Sequence, residues 1–102
     1  MPEAIDFIES LETKARNKIL YNLSKAHEVQ DQELFKKLDG EIWEFRTRYN
    51  GVSYRLFAFW DKTRDAVVIC SHGLIKKVQK TPRTEIEKAE KLRKEYFKTI
   101  GQ

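Results

Sequence analysis

The sequence is poor in sulfur and in imidazole. Among 102 residues there is one cysteine, Cys70, and there are two histidines, His27 and His72. A lone cysteine excludes an internal disulfide and a thiolate metal site. Zinc held by the two histidines would have to recruit carboxylates at unsuitable spacings, so neither a metal nor a cofactor is expected. Long apolar runs are missing as well: nothing approaches the roughly 20 residues of a membrane-crossing helix. Glu3, Asp6 and Glu9 fall where a secretory leader would need its apolar core. The chain therefore reads as cytoplasmic, with no membrane partner. Proline and glycine are scarce, at two and four copies. Pro2 and Pro82 stand where helices can begin, and Gly40 and Gly51 where strands turn.

Charge is what the chain has in quantity. Twenty Lys and Arg against sixteen Asp and Glu leave a net charge of +4, and the isoelectric point is about 9.2. Hydrophobic residues make up 40% and charged residues 35%. That balance suits a globular protein of one small domain, residues 1–102, and invites a polyanionic partner.

The most informative stretch is EIWEFRTRYNGVSYRLFAFW, residues 41–60. Asn50-Gly51 between two alternating runs signals a two-residue hairpin turn, because a type I′ turn needs positive φ at both positions. The turn fixes the register. Tyr49 should pair with Val52, Thr47 with Tyr54, Phe45 with Leu56 and Trp43 with Ala58, which makes one side of the ribbon apolar. The other side should pair Arg48 with Ser53, Arg46 with Arg55, Glu44 with Phe57 and Ile42 with Phe59. Two arginines facing each other with Cβ atoms about 5 Å apart repel, by roughly 3 kcal/mol at an effective dielectric near 20. An anion held between the guanidinium groups would reverse the sign of that cost, and Arg is well shaped for phosphate. Splaying into water, or partial neutralisation by Glu44, would also relieve it.

Around the hairpin the pattern is helical at both ends. Ala4, Ile5, Phe7, Ile8 and Leu11 form one apolar stripe and Ala15, Ile19, Leu20, Leu23 and Ala26 a second, either one long helix or a hairpin broken near Glu12-Thr13. Residues 27–39 read as a loop or short helical turn anchored by Leu34, Phe35 and Leu38. AVVICS, residues 66–71, reads as a third strand, with the facing of Val67 and Ile69 open and His72 sharing the core side with Val68 and Cys70. Ile86, Ala89, Leu92, Tyr96, Phe97 and Ile100 mark a last helix, with Thr81 as its N-cap or Thr84 and Glu87 as a capping box. The whole is an α+β fold: a small antiparallel sheet of three or four strands, two N-terminal helices packed on its apolar face, and a C-terminal helix. HGLIKKVQKTPR, residues 72–83, holds Lys76, Lys77, Lys80 and Arg83 and no acidic residue. It should leave the sheet beside Arg46 and Arg55.

The hairpin WEFRTRYNGVSYRLF, the strand ending in His-Gly, and the run IKK, KTP and EIxxA resemble the phage-derived HigB-like branch of the RelE/ParE toxin superfamily over roughly Ile5 to Phe97. Members usually open with a short strand before the first helix, whereas the helical pattern here begins at Pro2. Either the sheet lacks that strand, which would expose an edge, or the true start lies upstream. The resemblance implies the toxin half of a type II toxin–antitoxin system, with a helix-turn-helix antitoxin (HigA-like) as partner. It also implies cleavage of mRNA on the translating ribosome. RNA cleavage without a metal uses the neighbouring 2′-hydroxyl as nucleophile, so the protein must orient it, move protons and stabilise charge on the phosphate. Arg46, Arg55 and Lys77 are the candidates around the scissile phosphate. Lys77, weakened as a base by positive neighbours, could double as acid or base, and Glu44 is the alternative base unless it serves only as a salt-bridge partner. Lys76, Lys80, Arg48 and Arg83 are candidates for binding RNA, and Phe57 and Phe59 either stack bases or pack under the basic segment. His72 is expected to be structural. Two other readings are kept: a ParE-like inhibitor of DNA gyrase, and a basic RNA-binding module without catalysis.

Overall fold

The computed structural model describes residues 1–28, 33–63, 67–76 and 81–100. Three helices, α1 (Pro2–Glu9), α2 (Thr13–Glu28) and α3 (Arg83–Ile100), accompany four strands, β1 (Phe35–Asp39), β2 (Ile42–Tyr49), β3 (Val52–Asp61) and β4 (Val67–Lys76). The strands form one antiparallel sheet in the order β1-β2-β3-β4. It is the expected α+β fold, with four strands. The fourth lies in the stretch read as a loop or helical turn: in FKKLD only Phe35 and Leu38 are apolar, and the two lysines between them hide the alternation.

The central hairpin follows its turn. Asn50 and Gly51 have φ of 53° and 77°, and the pairs Tyr49–Val52, Thr47–Tyr54, Phe45–Leu56, Trp43–Ala58, Arg46–Arg55, Arg48–Ser53 and Glu44–Phe57 are those that counting from the turn gives. At the N-terminus the apolar stripes are two helices, broken at Ser10, whose hydroxyl donates to the Phe7 carbonyl at 2.6 Å. Ala4, Ala15 and Ile19 of α1 and α2 are buried against Tyr54 and Leu56, with Phe45, Tyr49, Val52 and Cys70 around them. Gly73 of β4 lets α1 approach, since a Cβ there would lie 2.3 Å from the Phe7 ring.

The opposite face of the sheet is not open. α3 lies across part of it, and Ile42, Phe57, Phe59 and Ala89 form a second core with Ile69, Leu74, Ile86, Tyr96 and Phe97 at its margin. Helices therefore stand on both sides of the sheet. Burying its apolar stripe is what brings α3 there, because Phe57 and Phe59 supply a surface for it on the side that also carries the arginines. A register shift in β4 makes the fit. Cys70 pairs with Ala58 on the α1/α2 side, but the shift between Phe57 and Ala58 leaves Ser71 over, and His72 pairs with Phe57 on the α3 side. Simple alternation, which put His72 on the face of Cys70, fails at this bulge. Ile69 pairs with Phe59 and joins the α3 core.

Candidate functional site

The rows of the sheet under α3 change character along the strands. Lys36, Glu44, Phe57 and His72 make one row across β1 to β4. Next comes Arg46, Arg55 and Leu74, and then Arg48, Ser53 and Lys76. Arg46, Arg55 and Lys76 thus share one side of the sheet beyond the reach of the Phe57 core, and Glu44 is their nearest counter-charge.

Glu44 is 2% exposed and divides its two oxygens. Oε1 lies 3.3 Å from Arg55 Nε and 3.6 Å from Arg46 Nε. Oε2 accepts a hydrogen bond of 2.9 Å from the Thr81 hydroxyl, and Thr81 Oγ1 accepts one of 3.2 Å from Lys76 Nζ. Arg55 and Lys76 are each 8% exposed, while the Arg46 side chain is 30% exposed. The arrangement differs from a set of cations on an uncovered surface, because two of the three are largely withdrawn from water. Arg55 Nε, close as it is to Glu44, makes no hydrogen bond, and a buried charged donor without one is costly.

The electrostatics follow from that crowding. Burial lowers the pKa of Arg55; Glu44 opposes the shift and Arg46 adds to it. It remains a cation. Burial also holds the Lys76 ammonium below its ordinary pKa, reinforced by Arg55, Arg46 and Lys36 and opposed by Glu44. A lysine so placed gives up its proton more readily than one in water.

Other anticipated residues fall elsewhere. Phe57 and Phe59 have no exposed surface: Phe57 stacks on His72 with ring centroids 4.7 Å apart, and Phe59 meets Tyr96 and Phe97. Neither offers a face to a base, so both belong to the core instead. Their alternation with Arg55 put them on the right side of the sheet, but α3, whose docking has no local signature, covers them. Arg83 is exposed and fastens the start of α3 to β1 through Asp39, with Glu87 4.0 Å away; this contact lowers the Asp39 pKa and raises that of Arg83. Arg48 is exposed near the hairpin turn, in the row of Lys76. Lys77 and Lys80 lie outside the described residues.

His72 is 2% exposed. Its Nδ1 is 3.2 Å from the Ser71 hydroxyl, and its Nε2 is 3.4 Å from Glu85 Oε1 without the geometry of a hydrogen bond. Burial, then Lys88, lowers its pKa, against Glu85 and Glu3. Among the described residues no group of His, Cys, Asp and Glu could hold a metal ion, and no helix is long and apolar enough to cross a membrane.

Two residues of the cluster were not anticipated. Lys36 belongs to the strand that its own sequence disguised. Thr81 read as a helix cap, yet α3 begins at Arg83 and the Thr81 hydroxyl is engaged with Glu44 and Lys76. Its place in the KTP run was the one available signal.

A family model described as Phage derived protein Gp49-like (DUF891) matches residues 6–94. No curated protein and no solved structure matches the chain.

Proposed function

The chain belongs to the phage-derived Gp49-like family, which is associated with the toxins of toxin–antitoxin pairs, and from that premise we propose that it is an mRNA endoribonuclease of HigB-like type, acting on the translating ribosome to arrest translation. The observation that carries the reading is the partly buried cation cluster of Arg46, Arg55 and Lys76, which has one carboxylate, Glu44, among its described contacts. Three positive charges around one negative leave a net excess in a region of reduced dielectric, where each cation is worth more to an incoming anion than on open surface. A phosphate diester supplies that anion. Arg46, the most exposed of the three, meets the RNA first, and Arg55, buried behind it against Glu44, adds positive charge to the field around the phosphate.

The chemistry assigned to these residues is transesterification. The 2′-oxygen attacks the adjacent phosphorus, the bond to the 5′-oxygen breaks, and negative charge builds on the non-bridging oxygens beside the guanidinium groups. Lys36 and Arg48, exposed in the rows on either side of Arg46 and Arg55, extend the positive track along which flanking phosphates run. A helix-turn-helix antitoxin of HigA-like type is the proposed protein partner, neutralising the toxin by covering the Arg46 side of the sheet or by blocking its approach to the ribosome. A structure of the pair leaving both free would contradict that.

A coupled transcription–translation extract tests the function. Addition of the protein should produce mRNA cut at codon boundaries. Intact mRNA with supercoiling by DNA gyrase blocked would replace this reading by a ParE-like one, and RNA bound but uncut would reduce it to a binding module.

A further inference from the structure

Lysine is a poor tool for placing a proton. Its ammonium sits on a flexible four-carbon stem and can turn any of three donors toward a partner. In this fold Lys76 is restrained at its tip. Its Nζ donates to Thr81 Oγ1 at 3.2 Å, and the same hydroxyl donates to Glu44 Oε2 at 2.9 Å. The direction of this chain is set by its ends: a carboxylate can only accept and an ammonium can only donate, and a hydroxyl between them does one of each. Thr81 thereby joins two elements distant in sequence, the end of β4 and the first part of β2, at the entrance to α3. Glu44 meanwhile keeps its other oxygen for Arg46 and Arg55.

We propose that Thr81 is a positioning residue: its hydroxyl ties the Lys76 ammonium to Glu44 and so holds Lys76 beside the arginine pair as the donor of the proton taken up by the departing 5′-oxygen. The assignment rests on the RNA-cleavage reading above and deepens it, moving Lys76 from a flanking contact to the reacting phosphate. In the step, the bond from the 2′-oxygen to phosphorus forms and the bond from phosphorus to the 5′-oxygen breaks. A proton passes from Lys76 Nζ to the 5′-oxygen, the proton of the 2′-hydroxyl goes to solvent water, and the neutral amine regains a proton from solvent. With one N–H held by Thr81, two remain to reach the substrate. The groups facing Lys76 are Arg55 on β3, Arg46 and Glu44 on β2, Lys36 on β1 and Thr81 before α3. Burial and this cationic company favour release of the proton, while Glu44 opposes it.

Thr81→Val keeps the shape and removes the hydroxyl; Thr81→Ser keeps the hydroxyl. Cleavage of mRNA on translating ribosomes by the full chain is measured across pH for both and for the unaltered protein, alongside binding to ribosomes carrying an mRNA whose 2′-hydroxyls are methylated and cannot react. Thr81→Val should lower kcat by about ten- to a hundredfold while binding of the inert RNA changes little. It should also move the alkaline limb of the kcat profile to lower pH, because the ammonium loses an acceptor that favours its charged form. Thr81→Ser should restore both, and Thr81→Ala gives a second hydroxyl-free comparison. The proposal is overturned if binding falls as far as kcat, if the alkaline limb stays in place, or if Ser is as impaired as Val. Should the unaltered protein cut no RNA at all, the cleavage reading fails by itself. The tie is then read from the Lys76 side-chain titration by NMR, where Thr81→Val should titrate at lower pH and identical titrations overturn it.

Discussion

One side of the sheet carries two regions built from the same strands, and they have opposite chemistry. Toward the end of β3 near Asp61, Phe57 and Phe59 lie fully buried with Ile42 under α3. Two residues back along β3, Arg55 is almost as buried, but among charges. Along β3 the side chains on this face run Ser53, Arg55, Phe57, Phe59 and Asp61, so the aromatic pair lies between polar residues, and buried Asp61 accepts a hydrogen bond from Tyr96 of α3. The dry region stabilises the fold by removing aromatic surface from water. The charged region holds cations close together at a cost, and Glu44 offsets only part of it. α3 therefore does two jobs: it completes the second core, and the residue that leads into it, Thr81, binds the carboxylate of the charged region.

The division breaks most visibly at Phe57. Phe57→Ala should cost about 3–5 kcal/mol of unfolding free energy, a large share of the 5–15 typical of a domain, as read from urea titration. A cost below about 1 kcal/mol would mean that α3 is held by something other than this core. Arg46→Ala tests the other region: kcat/KM for RNA should fall about a hundredfold with the urea midpoint nearly unchanged, because Arg46 is the most exposed member of the cluster. Arg46→Lys should not restore it, since an ammonium lacks the planar fork of donors. Equal cleavage by Arg46→Ala and the unaltered protein would dissolve the charged region as a site.

A smaller effect is expected on the far face. Gly73→Ala would push a methyl group into the Phe7 ring, costing about 1–3 kcal/mol in thermal or urea unfolding and leaving kcat per folded molecule intact; pairing it with Phe7→Leu should recover part of the loss. The smallest effect is a pH dependence. His72 has its pKa lowered from 6.5, first by burial and then by Lys88. The unfolded chain therefore takes up a proton as pH falls through about 6.5 while the folded protein resists it. Stability should drop from there down to the lower folded-state pKa and be level above. Melting curves at pH 7 and pH 5.5 should show this fall in the native protein and less of it in His72→Gln; parallel falls would place the titrating group elsewhere.

Much of this was legible because it is local. The Asn50-Gly51 turn specifies positive φ at two positions, and period-two alternation carries the register outward, so Arg46 opposite Arg55 follows from counting alone. The apolar stripes of α1, α2 and α3 were equally plain. What was hidden lacked a local signature. β1 escaped because Lys36 and Lys37 interrupt its pattern, and the facing of His72 was misread because the bulge at Ser71 resets the alternation. For Phe57 and Phe59 the sequence leaves base stacking and packing both open, and the position of α3 decides for packing.

By itself, the sequence determined which residues lie on each side of the hairpin, because alternation is a property of the extended backbone. It determined the excess of positive charge and the helices at either end in the same way. Only the tertiary structure decided that α3 would cover part of the arginine face, that Glu44 would be sealed between two guanidinium groups, and that the hydroxyl of Thr81 would reach Lys76 instead of capping a helix. The physical reason is that these outcomes depend on where apolar surfaces meet across the fold, and burial then sets which charges must find each other.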